Sequence, residues 1–148
     1  LVRNITGPIH GTNRNVTVDI WFASVGLFQT MVQDYGLTMV GTLRKDKAEI
    51  PESFKSFKEV GSSRFAFDHN KTLVVHSPKR GKNVVLLSTM HYDDAVDEET
   101  KKQEVILFYN STKGGTDTFD KLCHCYSVAR RTNRCPLRFF LVCLITPE

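Results

Sequence analysis

The chain has 148 residues, 41% of them hydrophobic, and a formal net charge of +4. This composition predicts a globular protein with one core, either as one domain or as one domain with an added lobe. The longest apolar run, residues 139–145, is far shorter than a bilayer span, and no secretory leader is recognisable, so we expect no membrane partner. The modest positive charge permits contact with a polyanion without requiring it.

The residue pattern of the N-terminal third predicts a strand, a helix and a second strand. Val16, Val18 and Ile20 alternate with Thr17, Asp19 and Trp21, which predicts a strand that points Asp19 away from the valines. Residues 24–35 have helical apolar spacing, and Gly36 stands where helices are commonly capped. A second strand is predicted over residues 37–43. This order indicates an α/β fold.

The middle of the chain predicts short strands separated by turns. The apolar runs cover residues 64–68, 72–77 and 83–90, with a turn sequence between the last two. An acidic run follows at residues 92–102. We interpret it as a solvated loop rather than a metal site, because nothing in the pattern orients its acids toward one point.

A second helix is predicted from Asp117 towards Arg131, with Thr116 as its N-cap after Gly114 and Gly115. Asp117 and Asp120 are three residues apart, so their carboxylates are neighbours on the helix and can meet one cation. The alternative is that these acids only complement the helix dipole.

Cysteines occur only in the last quarter of the chain, which is not the distribution of a disulfide framework. Reduced thiols are the favoured interpretation. A zinc site is the alternative, disfavoured because no Cys-x2-Cys pair is present. The four are Cys123, Cys125, Cys135 and Cys143.

Five long sequence motifs, in this order and spacing, resemble the piggyBac family of transposases. The resemblance covers nearly the whole chain and implies a partial RNase H-like domain interrupted by a β-rich insertion. The expected divisions are 1–44 for part of the catalytic core, 45–103 for the insertion and 104–148 for the C-terminal catalytic helix with a basic segment. The chain is expected to be a piece of a longer protein. The motifs are PIHGTNRNVTVDIWFAS, TMVGTLRKDKAEIPESF, NVVLLSTMH, YNSTKGGTDTFDKLC and SVARRTNRCPLRFF.

The resemblance also implies a site for two divalent cations, Mg²⁺ or Mn²⁺, that promote DNA cleavage and strand transfer. Asp19 and Asp117 match two of the family's three catalytic aspartates, and Asp120 matches a further acid. The family's first aspartate has no counterpart in residues 1–14, so we expect an incomplete site that is inactive alone. Ile20 stands where the family usually has Asn, and Cys135 where it has Trp.

Double-stranded DNA, specifically transposon ends, is the partner that the resemblance implies, with a nuclear location and a possible homodimer of the full-length protein. A cluster of basic residues is expected to contact DNA phosphates, although helix-end cations are an alternative explanation. Two other functions stay open, namely a transposon-derived regulatory DNA-binding protein and a non-functional remnant. The basic residues are Lys113, Arg130, Arg131, Arg134 and Arg138.

Overall fold

The structure, a computed structural model, describes residues 1–97 and 102–125. The chain divides into two compact units, Leu1–Lys113 and Gly114–Glu148. Within the described residues no helix is long and apolar enough to cross a membrane. The helices are α1 (Val2–Ile5), α2 (Val25–Gln33), α3 (Glu52–Lys55), α4 (Glu104–Thr112) and α5 (Gly114–Cys125), with a 3-10 turn at Gly7–Ile9. The strands are β1 (Asn15–Val18), β2 (Thr38–Leu43), β3 (Ser63–Asp68), β4 (Lys71–Lys79) and β5 (Lys82–Ser88).

The first unit is built on one five-stranded mixed sheet with the order β1-β2-β5-β4-β3. Strands β1 and β2 are parallel, and the remaining neighbours are antiparallel. The predicted α/β class is confirmed. Strands β3, β4 and β5 come from the region assigned to the insertion, and β5 pairs directly with β2. The divisions 1–44, 45–103 and 104–148 stay predictions.

Helix α2 and strand β2 lie close to their predicted positions, but β1 ends at Val18 rather than continuing to Trp21. The chain turns after Val18, because the Asp19 carbonyl accepts backbone hydrogen bonds from Phe22 and Ala23. The Ser24 side chain caps α2 by accepting a hydrogen bond from the backbone N–H of Leu27 at 3.3 Å. Phe28 and Met31 are fully buried against the sheet. Gly36 has a φ of +59°, which glycine adopts without steric strain. The chain therefore turns from α2 directly into β2.

Both faces of the sheet carry an apolar core. On one face, α2 and α3 pack against strand residues that include Val18, Leu43 and Val85. On the other face, Val40, Val74 and Leu86 meet three buried residues of α4. This explains why residues 85–89 are buried without interruption, since a strand covered on both sides has no solvent-facing position.

Helix α4 is an element that the sequence patterns did not predict. Its buried residues are Val105, Ile106 and Tyr109, whose spacing places them on one helix face. The run of five apolar residues from 105 to 109 is compatible with a strand as well as a helix, so periodicity alone does not identify it.

The predicted start of the second helix was wrong. Helix α5 begins at Gly114, not at Asp117 after a cap at Thr116. Lys113 ends α4 in the right-handed helical conformation, so the chain enters the next helix without the extended residue that an N-cap requires. The hydroxyl of Thr118 donates to the carbonyl of Gly114 at 2.8 Å within this first turn.

The acidic run and the cysteines are only partly within the described residues. Tyr92, Asp93 and Asp94 are exposed, as a solvated loop predicts, and an isolated antiparallel bridge joins Val96 to Gln103. Cys123 and Cys125 are free and exposed. Residues 98–101, with the remaining two cysteines, lie outside the described residues.

Candidate active site

Asp19 follows β1 directly, at the carboxyl end of the parallel pair formed with β2. Its side chain is exposed, whereas the preceding Val18 is buried in the core. The carbonyl of Asp19 accepts hydrogen bonds from the backbone N–H groups of Phe22 at 3.0 Å and Ala23 at 3.1 Å. Ala23 is buried, so this turn is anchored between a core strand and the cap of α2. The fold therefore holds the backbone that carries the Asp19 carboxylate.

Close packing fixes β1 against β2 beside Asp19. Gly41 is paired with Val18 in the register of the two strands. A Cβ atom at Gly41 would lie 2.6 Å from both the Cγ2 and the carbonyl oxygen of Val18. Only glycine permits this approach. The position of Asp19 relative to β2 thus depends on residue 41 having no side chain.

The face of the sheet opposite α2 presents polar groups to α4. The hydroxyl of Thr17 donates to the hydroxyl of Thr112 at 2.9 Å, and Thr112 in turn donates to the carbonyl of Phe108 at 2.8 Å. The hydroxyls of Thr42 and Tyr109 lie 3.3 Å apart. These bonds fasten the C-terminal half of α4 to β1 and β2, close in sequence to Asp19.

A shallow cleft of about 340 Å³ opens at the carboxyl ends of β1 and β2. Besides Asp19, it is lined by Ile20, Thr42, Lys45 and Asn83. In open α/β sheets, ligands commonly bind outside the carboxyl ends of parallel strands. Asp19 therefore presents a carboxylate at the kind of place where such folds bind their substrates.

A second cavity, of about 430 Å³, lies between the sheet and α4 and shares Thr42 with the cleft. His76 and Lys113 also line it. Burial lowers the pKa of His76 below its ordinary value of 6.5, so this side chain is neutral at neutral pH. Lys113, one of the predicted DNA-contacting residues, is exposed and has its ammonium 5.6 Å from the ring centre of Tyr109.

The other predicted site residues are described only in part. The backbone of α5 contains Asp117 and Asp120, but their side chains lie outside what the structure describes. The predicted convergence of these carboxylates with Asp19 stays a prediction. Three or more metal-binding side chains do not come together anywhere among the described residues. Arg130, Arg131, Arg134 and Arg138 lie outside the described residues.

Sequence reasoning missed Lys45 and Asn83, which line the same cleft as Asp19. They belong to two different family motifs, TMVGTLRKDKAEIPESF and NVVLLSTMH, and lie 38 positions apart in the sequence, so nothing local connects them. The signal that would have located them is the pairing of β5 with β2, which brings Val85 opposite Leu43 and so places the start of β5 beside the end of β2.

The sequence matches the family described as Transposase IS4 across residues 1–146. The fold is also similar to a solved chain in the cryo-EM structure of the piggyBac transposase synaptic complex with hairpin DNA. The TM-score is 0.80 and the sequence identity 41%. The alignment covers 97% of this chain and 31% of that chain, so the present sequence spans about a third of the length of the transposase.

The mixed sheet, with an aspartate at the end of its first parallel strand, matches a fragment of the RNase H-like fold of DDE transposases. Transposases of this class generally use divalent metal ions. The chain belongs to the transposase IS4 family and is of the piggyBac type.

Proposed function

We propose that this chain contributes part of the catalytic centre of a DNA transposase that cleaves and joins DNA strands with the help of Mg²⁺ or Mn²⁺. The observation that carries the proposal is the exposed carboxylate of Asp19, held at the carboxyl end of β1 beside an open cleft. The matching structure, a piggyBac transposase bound to hairpin DNA, supports DNA as the substrate class.

We further propose that Asp117 and Asp120 complete the metal-binding set with Asp19. Carboxylate oxygens are the ligands that Mg²⁺ and Mn²⁺ prefer. The motif YNSTKGGTDTFDKLC, which carries Asp117 and Asp120 and resembles the piggyBac family, supports the assignment. A bound cation would neutralise charge on the attacking and leaving oxygens during phosphodiester cleavage.

The roles of the chain's own residues follow from this arrangement. Asp19 presents negative charge to the metal, and its hydrogen-bonded turn restricts the motion of the backbone that carries it. Lys113 and the arginines at 130, 131, 134 and 138 contact DNA phosphates on this proposal, by charge rather than by base recognition. Action in the nucleus and assembly as a homodimer of the full-length protein belong to the same proposal.

Metal binding by the 148-residue chain tests the assignment without requiring cleavage. In NMR spectra, added Mn²⁺ should selectively broaden the amide signals of residues 19–23, because the paramagnetic ion would lie beside Asp19. Asp19→Asn and Asp117→Asn should each remove this broadening, since Asn keeps the shape but loses the charge. Asp34→Asn is the matched control, because Asp34 is an exposed acid at the C-terminal end of α2. Unchanged broadening in Asp19→Asn would contradict the assignment.

A further inference from the structure

A cavity of about 590 Å³ with a strongly basic lining lies beside the end of β2. Four of its nine lining residues are cationic and none is acidic. They come from three separate segments, namely the end of β2, the end of α3 with the loop after it, and the turn between β4 and β5. The four cations are Lys45, Lys55, Lys58 and Arg80. We call this cavity the basic groove.

The walls of the basic groove are held in place by buried contacts. Phe57 is buried in the core, and the side-chain amide of Asn83 donates to the Phe57 carbonyl. The loop is also tied to β4, since the N–H of Gly61 donates to the carbonyl of Ser77 at 2.8 Å. The opposite wall is a tight turn in which Lys79 pairs with Lys82 and Gly81 has a φ of +78°. These bonds organise the groove before any ligand binds.

The positive charge of the groove is largely uncompensated. Lys55 forms an ion pair with Glu52 at 3.6 Å, but that glutamate is 83% exposed. Over residues 1–97 and 102–125, Lys45, Lys58 and Arg80 form no ion pair. Clustered cations repel one another, so an organised cluster without acids attracts anionic ligands. The folded chain therefore presents an organised, positively charged surface that can attract anions.

The basic groove adjoins the cleft that contains Asp19. Lys45 and Asn83 line both of them. A polyanion seated in the groove would thus lead towards the Asp19 carboxylate. An acid at a substrate-binding cleft repels phosphate, and adjacent cations offset that repulsion.

We propose that the basic groove binds the phosphate backbone of duplex DNA and guides one strand into the Asp19 cleft. The proposal rests on the proposed function and deepens it, because it assigns DNA positioning to residues other than Lys113 and the C-terminal arginines. Lysine and arginine binding to backbone phosphates positions the DNA without reading its sequence. Binding in the groove is therefore expected to be tolerant of sequence and sensitive to salt.

The test measures the affinity of the 148-residue chain for a fluorescently labelled duplex of arbitrary sequence at several salt concentrations. The double variant Lys58→Ala/Arg80→Ala removes two phosphate contacts. The slope of log K against log salt should become shallower by about 2, so the loss of affinity between 50 and 200 mM salt should be about tenfold smaller than for the unmodified chain. The charge-retaining variant Lys58→Arg should bind as the unmodified chain does.

The matched control is Arg3→Ala/Arg14→Ala, which removes the same charge from two exposed residues that do not line the groove. If the control reduces the slope as much as Lys58→Ala/Arg80→Ala, the effect is net charge and the proposal fails. It also fails if the groove variant binds with an unchanged slope while circular dichroism shows it folded. A groove variant that does not fold is replaced by Lys45→Gln/Lys58→Gln, judged by the same slope criterion.

All binding is measured in EDTA, so the outcome does not depend on a metal site. Loss of selective Mn²⁺ broadening as a test of Asp19 and a change in salt slope as a test of the groove are independent readouts. If the groove variant changes the salt slope as expected but Mn²⁺ broadening persists in Asp19→Asn, only the catalytic assignment is refuted. If Mn²⁺ broadening is lost but the salt slope is unchanged, only the groove proposal is refuted.

Discussion

The substitution Gly41→Ala should destabilise the first unit, although replacing glycine by alanine inside a strand usually stabilises it. The usual gain is about 0.5–1 kcal/mol, from reduced freedom of the unfolded chain. At Gly41, however, the added Cβ would lie 2.6 Å from two atoms of Val18 and 3.3 Å from the Phe28 ring. Ordinary contacts at such an atom are 3.4–4 Å. The neighbours must therefore move by about 1 Å.

One of the two close atoms of Val18 is its backbone oxygen, so the clash cannot be relieved by rotating a side chain. Strand β1 must shift relative to β2, which disrupts their ladder one residue before Asp19. Overpacking of this kind costs about 1–3 kcal/mol, and the backbone involvement places Gly41→Ala at the upper end. After the usual gain is subtracted, the expected net effect is a loss of about 2–2.5 kcal/mol in the free energy of unfolding.

Urea unfolding followed by far-UV circular dichroism measures this free energy. Gly26→Ala serves as the control, because Gly26 lies in α2 and a Cβ there meets nothing within 4 Å. That variant should gain up to about 1 kcal/mol from helix propensity. The two substitutions are chemically identical and are expected to have opposite signs. If Gly41→Ala is as stable as the unmodified chain, then β1 and β2 do not pack as closely beside Asp19 as the structure indicates.

Two further predictions concern the helix cap and a buried histidine. Ser24→Ala removes the side chain that accepts a hydrogen bond from the Leu27 N–H and should lower the free energy of unfolding, measured with urea, by about 1 kcal/mol. Ser111→Ala, at an exposed residue in α4, should lower it less, and equal losses would refute the capping role. Burial holds the pKa of His91 below its ordinary value of 6.5, with Glu104 and Asp93 acting weakly in the opposite direction. Its neutral form is favoured in the folded state, so the unfolded chain binds more protons at acidic pH and stability should fall as the pH drops below 6.5. His91→Gln should flatten that decline more than His69→Gln does at an exposed position, and an unchanged pH profile would contradict the burial argument.

The local elements of the first unit were predictable because their patterns are strong. Alternation indicates β1, and helical spacing followed by Gly36 indicates α2. The exposed position of Asp19 followed from the same alternation, since its neighbour Val18 points into the core. These features depend on residues adjacent in sequence.

The arrangement of the elements was less predictable. Nothing in the apolar runs specifies that β5 pairs with β2, because strands buried on both faces have no distinctive face pattern. That pairing is what brings Asn83 to the cleft and Arg80 to the basic groove. The four cations of the groove stand in three separate segments, so no single sequence motif contains all of them.

The catalytic assignment rests on motifs that resemble the piggyBac family rather than on residue spacing. Two aspartates three residues apart at the start of a helix are equally compatible with a helix-dipole role. The structure adds the position of Asp19 at a cleft and the connection of α4 to β1 through Thr17 and Thr112.

The central claim, that Asp19 acts in DNA cleavage, is tested most directly in a full-length piggyBac-type transposase whose matching segment is replaced by this chain. A second form also carries Ile20→Asn and Cys135→Trp, the residues usual in the family. The assay measures Mg²⁺-dependent nicking of transposon-end DNA. We expect nicking by at least one form, its loss on Asp19→Asn and its retention on Asp34→Asn. Full nicking by the Asp19→Asn protein, or metal-dependent cleavage by the 148-residue chain alone, would contradict the account.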